Sequence, residues 1–350
     1  MKSKSKPTLF LFNLEVDANS SVLAAGVDWV IAFSDKCKQV YVFSTHVGAF
    51  DLPENVTVIE LSGLGLLSKF KWFVNNIRAL IIYCNTRGEK IVFHHMSHYT
   101  AIFPGIFFKI FRAKQGLWYA HAAKGTTLYL AEKISSKTFT SAPGAFPIFS
   151  KKLTYLGQGV NTEKFRTAFL NNVDQIREGI FSLGRINPVK NLEKLLESIP
   201  VKNRNLIEFM GRSEDELYKS ALTKIAKEKK LDLVIKQSMP YDKIPIYLIK
   251  WFYYYCGTNI AVDKAVIEAA TSGCIVISTN DNVLRLTGMV DIYDELNFSV
   301  PKSLFDQINF FDRLGKKEIS QIRNRISEIS NERNNVFNTT NKIMEVLTSI

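Results

Sequence analysis

The most constraining feature of the sequence is its alternation of short β-branched and aromatic runs with longer amphipathic stretches. This alternation favours parallel sheets joined by crossover helices, so the predicted fold class is α/β and doubly wound. Strands are predicted at 8–14, 39–44, 56–61, 90–94, 116–120, 138–141, 152–156, 179–183, 206–210, 233–236, 251–255 and 274–278. Helices are predicted at 21–34, 66–84, 98–112, 127–133, 191–199, 214–229, 242–249, 263–272, 316–329 and 340–347.

A break in this alternation indicates two domains. The polar stretch 161–175 interrupts the pattern, which begins again at 179–183, and 350 residues are enough for two domains of about 150 residues. We predict Rossmann-like domains at 1–165 and 166–335, facing each other across a cleft where ligands bind at the carboxyl ends of the strands. A C-terminal helix within 336–350 is predicted to cross back to the first domain.

Composition excludes several classes of protein. Hydrophobic residues make up 46% and charged residues 22%, which is typical of a soluble globular protein rather than a disordered or coiled-coil one. Lys109 and Lys250 keep the two longest apolar runs below the roughly 18–20 residues of a membrane-spanning helix. The basic N-terminus precedes a strand-like run rather than the apolar core of an export signal. The 4 cysteines are scattered, which predicts buried free thiols and a cytoplasmic location.

The charge distribution indicates anionic ligands. The chain carries 45 Lys and Arg against 33 Asp and Glu, a formal net charge of +12. Residues 1–152 contain 18 of the basic residues and only 9 of the acidic ones. Such a field attracts the phosphates of nucleic acids, nucleotides or anionic lipids, although a basic surface that serves solubility alone has the same composition. Because no nucleic-acid-binding motif accompanies the charge, nucleic acid is not an expected partner.

The segment 181–191 has the parts of a diphosphate-binding site. An apolar strand is followed by Gly184, which permits close approach to the backbone. Arg185 and Lys190 supply two cations, and a helix begins at Asn191, where backbone N–H groups are expected to be free. The alternative interpretation is an ordinary strand, turn and helix whose cations are solvated.

The segment 263–277 has the pattern of a capped helix followed by a buried strand. Asp263 is the predicted N-cap and Gly273 the C-cap residue. Lys264 opposes the helix dipole, so it is either an ordinary exposed lysine or a ligand for an anion. Glu268 lies on an otherwise apolar helix and needs a partner, which is either a pair of ribose hydroxyls or a local salt bridge.

Together these segments resemble glycosyltransferase family 4, the large retaining group of glycosyltransferases with the GT-B fold. The resemblance runs in order along nearly the whole chain, which makes it more specific than any single motif. Its elements are Gly184-Arg185 with Pro188, Lys190 and Asn191, the Glu268-Ala269 helix ending at Gly273, Leu156-Gly157-Gln158-Gly159-Val160-Asn161 with Phe165, Phe93-His94-His95-Met96, and Trp118-Tyr119-Ala120-His121.

The resemblance implies a glycosyltransferase of hexosyltransferase type, with an acceptor bound by the first domain and a nucleotide sugar bound mainly by the second. By position, Gly184, Arg185 and Lys190 would hold the donor diphosphate and Glu268 its ribose. His95 would take the sugar-facing histidine position, and transfer would retain the anomeric configuration. Cations placed beforehand stabilise the charge that develops on the diphosphate, so no metal ion or other cofactor is expected.

Two departures from the family pattern motivate an alternative function. The family commonly has a second Glu eight positions before Glu268, where this chain has Ile260. Asp263 and Lys264 follow closely and are candidates for contact with the sugar or the phosphate. The glycine pair that is usual in the first loop is absent from 15–21. The alternative is a catalytically silent GT-B subunit that assists an active transferase.

The histidines of the first domain allow several roles. His94, His95 and His98 suggest a metal site, but neighbours on a strand diverge and no carboxylate or cysteine lies near them in sequence, so no metal is expected. His121 ends the following strand and would share the rim of the cleft with His95. It is either an acceptor or cleft residue or a structural histidine bonded to backbone.

The apolar run 99–111 has two interpretations. With Lys109, Arg112 and Lys114 it could lie against an anionic membrane surface, which suits a lipid-linked acceptor. Alternatively it is a buried core helix. Together with the acceptors that are usual in the family that the chain resembles, the first interpretation predicts a peripheral protein at the inner face of the cell membrane. Its acceptor would be a glycan or a lipid-linked molecule in polysaccharide or lipopolysaccharide biosynthesis.

Overall fold

The computed structural model describes residues 6–20, 25–62, 67–199, 206–213 and 215–350. It divides into two compact units, one formed by Met1–Asn161 with Val336–Ile350 and the other by Thr162–Asn335. The predicted boundaries lie after residues 165 and 335. Parts of three predicted helices, at 21–24, 66 and 214, lie outside the described residues.

Strands and helices follow one another in the predicted α/β order. The strands are β1 (Thr8–Val16), β2 (Gln39–Val47), β3 (Val56–Glu60), β4 (Lys90–His95), β5 (Lys114–Trp118), β6 (Lys137–Thr140), β7 (Leu153–Tyr155), β8 (Glu178–Leu183), β9 (Ile207–Met210), β10 (Leu233–Lys236), β11 (Trp251–Tyr255) and β12 (Ile275–Ile277). The helices are α1 (Ala25–Ser34), α2 (Ser68–Asn85), α3 (His98–Ile102), α4 (Gly105–Ile110), α5 (Thr126–Ile134), α6 (Glu163–Leu170), α7 (Leu192–Ser198), α8 (Glu216–Glu228), α9 (Ile244–Leu248), α10 (Lys264–Thr271), α11 (Asp281–Thr287), α12 (Met289–Glu295), α13 (Leu304–Asp312), α14 (Lys316–Asn334) and α15 (Val336–Thr348).

The first unit contains a parallel sheet with strand order β3-β2-β1-β4-β5-β6-β7. Its central strands are apolar on both sides because helices cover both faces, as expected of a parallel sheet. On one face, Leu9, Leu11 and Phe93 pack in a buried cluster with residues of α1 and α15. On the other face, Phe10 and Phe12 pack with residues of α2. The last helix of the chain therefore completes the core of this unit.

The second unit contains a parallel sheet with strand order β10-β9-β8-β11-β12. Because β9, β8 and β11 are neighbours, the loops that follow Met210, Leu183 and Tyr255 leave from the same edge of the sheet. Ligands of open α/β sheets bind at this carboxyl edge. Both candidate segments are placed there, since 181–191 follows β8 and 263–273 follows the loop after β11.

Several predicted helices differ from the structure. The segment 98–112 forms two helices, because Pro104 lacks the N–H of a continuous helix and holds Phe103 in an extended conformation. The 161–175 stretch contains α6, and α11, α12 and α13 follow β12 without a predicted counterpart. These four helices have between 7 and 9 residues, which is too short for a helical period to be distinct.

The cysteines are free thiols, of which Cys37, Cys256 and Cys274 are buried as predicted. Cys84 is exposed, contrary to the prediction, because it lies on the outer side of α2. Within the described residues, no helix combines the length and the apolar composition that crossing a bilayer requires.

Candidate active site

The loop after β8 packs against the loop after β9. The Gly184 N–H donates to the Met210 carbonyl at 2.9 Å. A Cβ at Gly211, which has a φ of +154°, would lie 1.9 Å from the Gly184 carbonyl oxygen. Only glycine fits at this contact, and the close approach of the two loops positions the backbone immediately before Arg185.

Lys190 and Asp263 form an ion pair between the two candidate segments. Lys190 ends the 3-10 helix after β8, and Asp263 directly precedes α10. The Lys190 ammonium donates to Asp263 Oδ2, and the two side chains are 16% and 29% exposed. Asp263 occupies the predicted N-cap position, but its carboxylate caps no helix N–H. It binds the Lys190 ammonium instead.

Asn191 makes the tight turn between the 3-10 helix and α7. Its φ of 46° is left-handed, a conformation that asparagine tolerates better than most residues. Asn191 Nδ2 donates to the Gly257 carbonyl at 2.6 Å, and the Tyr255 hydroxyl donates to the Asn191 carbonyl at 2.7 Å. The prediction of free N–H groups at this helix start is wrong for the first one, because the Leu192 N–H donates to the Tyr218 hydroxyl at 3.0 Å.

The loop between β11 and α10 is held by Asn280, the residue that precedes α11. Asn280 Nδ2 donates to the Thr258 carbonyl at 2.8 Å, and the Thr258 hydroxyl donates to the Ala261 carbonyl at 2.7 Å. These bonds hold the part of the loop that brings Asp263 to its partner. Ile260, at the position where the resemblance leads one to expect a Glu, is 49% exposed in the same loop.

Glu268 is buried on α10 and bonded to a tyrosine from a distant part of the sequence. It is 4% exposed, and the Tyr241 hydroxyl donates to its Oε1 at 2.5 Å. The Lys164 ammonium lies 3.8 Å from the centroid of the Tyr241 ring. Glu268 therefore has a partner within the protein, and that partner is a hydroxyl, the same type of donor that a ribose offers.

Arg185 and Lys264 are further cationic side chains at this edge. Arg185 is exposed, and its guanidinium makes no hydrogen bond or ion pair with the described part of the chain. Lys264 is half-buried in the first turn of α10. The helix ends one residue earlier than predicted, with Ser272 as the C-cap and Gly273 following at a φ of +74°. Since the Lys190 ammonium is bonded to Asp263, the Arg185 guanidinium is more available to a phosphate than Lys190 is.

His95 ends β4 in the first unit and is buried against two tryptophans. It is 7% exposed, with ring centroids 4.3 Å from Trp29 and 6.4 Å from Trp118. His95 Nδ1 lies 3.2 Å from Asn13 Oδ1, which also accepts the Leu14 N–H at 2.9 Å. Because an amide oxygen only accepts, Nδ1 carries a proton and donates it, which sets the orientation of the ring. The sugar-facing role of His95 stays a prediction.

The other histidines of the first unit are separated from His95. His94 lies on the opposite face of β4, and its complete burial lowers its pKa to about 3. Burial also lowers the pKa of His98. His121 is exposed, and its Nδ1 accepts the Ala123 N–H at 2.9 Å. Among the residues that the structure describes, no group of three or more His, Cys, Asp or Glu side chains is arranged to hold a metal ion.

Sequence reasoning missed the tyrosines that support the candidate site. Tyr241 lies 27 residues from Glu268, and Tyr255 lies 64 residues from Asn191. The proline before Tyr241 indicates only a turn, and the aromatic run that contains Tyr255 indicates only a buried strand. No local pattern in the sequence indicates the contact of Tyr241 with Glu268 or that of Tyr255 with Asn191.

Comparison with known proteins identifies the architecture. No protein-family model and no curated protein matches the sequence. The chain is similar to HepE from Anabaena in complex with UDP and glucose, at 14% identity and a TM-score of 0.66, over 98% of this chain and 100% of that one. It is similar to sucrose-phosphate synthase from Thermosynechococcus elongatus, at 14% identity and a TM-score of 0.69, over 98% and 99% of the two chains. It is also similar to WaaG, a glycosyltransferase involved in lipopolysaccharide biosynthesis, at 9% identity and a TM-score of 0.58, over 98% and 100%.

These neighbours are GT-B glycosyltransferases, and they match almost the full length of the chain. The two parallel sheets and their alternating helices confirm the predicted α/β class. The chain therefore has the GT-B fold that its resemblance to glycosyltransferase family 4 implied.

Proposed function

We propose that this protein is a retaining glycosyltransferase that transfers a hexose from a nucleotide sugar to a glycan or lipid-linked acceptor. The observation that carries the proposal is the pair of cations after β8, Arg185 and Lys190, at the carboxyl edge of a parallel sheet in a GT-B chain. HepE was crystallised with UDP and glucose, and WaaG is involved in lipopolysaccharide biosynthesis. The HepE complex supports a nucleotide-sugar donor, and the role of WaaG supports a cell-surface glycan as product.

In this proposal, residues of the second unit act on the leaving group. Breaking the anomeric bond leaves negative charge on the donor diphosphate, and Arg185 and Lys190 stabilise that charge more in the transition state than in the ground state. Asp263 orients the Lys190 ammonium. When the donor binds, the ammonium also contacts its phosphates. The Glu268 carboxylate accepts a hydrogen bond from a ribose hydroxyl, either in place of the Tyr241 hydroxyl or together with it. Because the protein's own cations stabilise the charge on the leaving group, we expect activity without an added metal ion.

The first unit would serve the acceptor side. His95 is proposed to face the transferred sugar, with its ring held by Asn13, and His121 is proposed as an acceptor residue. The exposure of His121 allows such a contact, although its Nδ1 already accepts a backbone N–H.

A catalytically silent GT-B subunit is the second candidate, and two contacts favour it. The Lys190 ammonium is already bonded to Asp263, and Glu268 already accepts a hydroxyl from Tyr241. These polar groups are therefore satisfied within the protein and do not depend on a donor. Ile260 supplies no carboxylate to a donor sugar.

A thermal-shift screen against nucleoside diphosphates and nucleotide sugars tests the proposal. A ligand that binds only the native state adds ~2.7 kcal/mol of stability at a hundredfold excess over its Kd. We expect one nucleotide to raise the unfolding midpoint selectively, and its sugar to be transferred with retained configuration, as read by NMR of the product. Inversion would contradict the retaining mechanism. Folded protein that responds to no donor would support the silent subunit.

We also propose that the protein is peripheral to the cytoplasmic membrane face. The run 99–111 does not form a buried core helix, because Ile106, Phe107, Ile110 and Phe111 are between 39% and 68% exposed. The adjacent cations Lys109 and Arg112 are exposed as well. Apolar side chains bordered by cations suit the interface of an anionic membrane.

Helix α2 extends this surface. Phe70, Phe73, Ile77 and Ile81 are between 37% and 65% exposed on one side of the helix, and Phe73 stacks on Phe103 at 5.4 Å between ring centroids. The exposed cations of α2 are Lys69, Lys71 and Arg78. We call the exposed apolar residues of α2 and α4 the aromatic patch.

Vesicle sedimentation should detect this membrane contact. We expect binding to vesicles with anionic lipid at low salt and release near 1 M salt, where the Debye length falls to about 3 Å. Replacing Phe70 and Ile110 together by serine should weaken binding by about tenfold or more, since each apolar side chain buried in lipid contributes roughly 1.5–3 kcal/mol. Leu217→Ser, on an 86% exposed leucine of the second unit, is the matched control. Equal binding to neutral vesicles at all salt concentrations would reject the electrostatic attraction.

A further inference from the structure

Neighbouring loops of the first unit carry a cluster of aromatic side chains. The loops follow β4 and β5, which are adjacent in the sheet. His98 and Tyr99 lie in the chain after β4, and Tyr119 and His121 lie in the chain after β5. The cluster therefore lies at the carboxyl edge of the sheet, which is where ligands of open α/β sheets bind.

His98 joins the rings of the cluster. Its ring centroid lies 4.3 Å from that of Tyr99 and 5.7 Å from that of Tyr119, which it meets edge to face. The Tyr119 centroid lies 6.3 Å from that of His121. Tyr119 is only 6% exposed, whereas Tyr99 is 60% exposed. A buried ring thus supports the cluster, and the Tyr99 ring is open to a ligand.

The loop after β5 is held by the side chains of the same cluster. The Tyr119 hydroxyl donates to the Ala123 carbonyl at 3.0 Å, and the Ala123 N–H donates to His121 Nδ1 at 2.9 Å. Because Nδ1 accepts this bond, the His121 ring is neutral and its proton is on Nε2. His121 is exposed, so the Nε2–H can donate to a ligand.

The polar atoms of the cluster suit an uncharged ligand. Burial lowers the pKa of His98, so its imidazole is neutral at pH 7. Neither the His98 ring nor the Tyr99 hydroxyl forms a hydrogen bond with the described part of the chain. A neutral imidazole and a phenol each both donate and accept, as the hydroxyl groups of a sugar do. The cluster therefore matches a ligand that is rich in hydroxyl groups.

We propose that Tyr99, His98 and His121 bind a pyranose ring of a glycan acceptor. The C–H groups of the pyranose would pack on the exposed Tyr99 ring, and its hydroxyls would bond with the polar atoms of the cluster. A lipid chain would instead require apolar side chains, which α4 carries. The inference rests on the proposed transferase function and assigns its acceptor to the glycans.

Saturation-transfer NMR without a donor tests the subsite on the unmodified protein. The probes are the methyl glycosides of glucose, galactose, mannose and N-acetylglucosamine. We expect saturation of at least one glycoside, most strongly at its ring C–H protons, and no transfer to any of them would overturn the inference. The nucleotide thermal-shift screen reports on the donor site separately. A nucleotide response without glycoside binding overturns the subsite alone, and glycoside binding without a nucleotide response contradicts the proposed transferase but supports the subsite.

Matched variants assign the binding to the cluster. Tyr99→Ser is expected to weaken glycoside binding by about tenfold, the effect of losing one aromatic contact. Tyr129→Ser is the control, since Tyr129 is a 50% exposed tyrosine of α5 in the same unit. Equal glycoside affinity in these two variants would overturn the inference. So would a Tyr99→Ser protein that loses vesicle binding but keeps its glycoside affinity, because Tyr99 would then belong to the membrane surface.

His121→Asn tests the polar part of the subsite. The asparagine oxygen can still accept the Ala123 N–H, but the variant lacks the Nε2–H. We expect glycoside binding to weaken by about threefold or more, the effect of one lost hydrogen bond. An unchanged glycoside affinity would remove His121 from the subsite.

Discussion

Replacing Lys190 with alanine is expected to lower kcat by about 100- to 1,000-fold, the effect of removing one preplaced donor from developing negative charge. The ammonium is held at the carboxyl edge of β8 by Asp263 and is only 16% exposed, so solvent screens it little. Steady-state kinetics with the donor found by the thermal-shift screen would measure the change. We expect the free energy of unfolding to fall by about 1 kcal/mol or less, because the ion pair is partly exposed.

Two further variants show whether Lys190 acts on the substrate. Lys194→Ala changes an exposed lysine of α7 and should leave kcat unaltered. Asp263→Asn removes the other member of the ion pair but leaves the ammonium. If the pair is only structural, Asp263→Asn and Lys190→Ala will have equal effects on stability and equal effects on kcat. A kcat loss much larger in Lys190→Ala than in Asp263→Asn supports the leaving-group role of Lys190, and an unchanged kcat in Lys190→Ala would remove it.

Glu268→Gln is expected to weaken nucleoside diphosphate binding by about 10- to 100-fold. A hydrogen bond to a charged group contributes about 1.5–3 kcal/mol, and the amide retains the shape of the side chain while losing its charge. Glu268 is 4% exposed, so the bond is sheltered from water. Isothermal titration calorimetry measures the affinity, and thermal unfolding measures the stability of the same samples.

Tyr241→Phe is the matched variant for this prediction. It removes the hydroxyl that donates to Glu268 but leaves the carboxylate in place. If Glu268 binds the ribose, Tyr241→Phe should lower the unfolding midpoint without a comparable loss of nucleotide affinity. If Glu268 serves only the tyrosine, both variants will lower stability alike and neither will change the affinity. That result would contradict the ribose assignment.

The strands were predictable because each one is a local pattern. A strand covered by helices on both faces is an apolar run of a few residues, and the run Trp251–Tyr255 shows this directly. The short helices α6 and α11 were not predictable, since two turns give no distinct period. The division of 98–112 at Pro104 was marked in the sequence by the proline itself.

The candidate site was predictable only where its parts are neighbours in sequence. Gly184, Arg185 and Lys190 lie within one strand–turn segment, so their spacing alone indicated a phosphate site. The contact of Gly211 with Gly184 could not be predicted, because it joins the ends of two different strands. The same applies to the bond between Tyr241 and Glu268.

The sequence by itself determined the α/β class, the two-domain organisation that we predict and the resemblance to glycosyltransferase family 4, because periodicity and local motifs are properties of neighbouring residues. Tertiary structure alone decided that Lys190 is bonded to Asp263 and that Glu268 accepts a tyrosine hydroxyl. Burial and pairing depend on residues that packing brings together from distant parts of the chain. Burial and pairing set the charge and the hydrogen-bonding state of each candidate residue. Neither state can be predicted from a pattern of neighbouring residues.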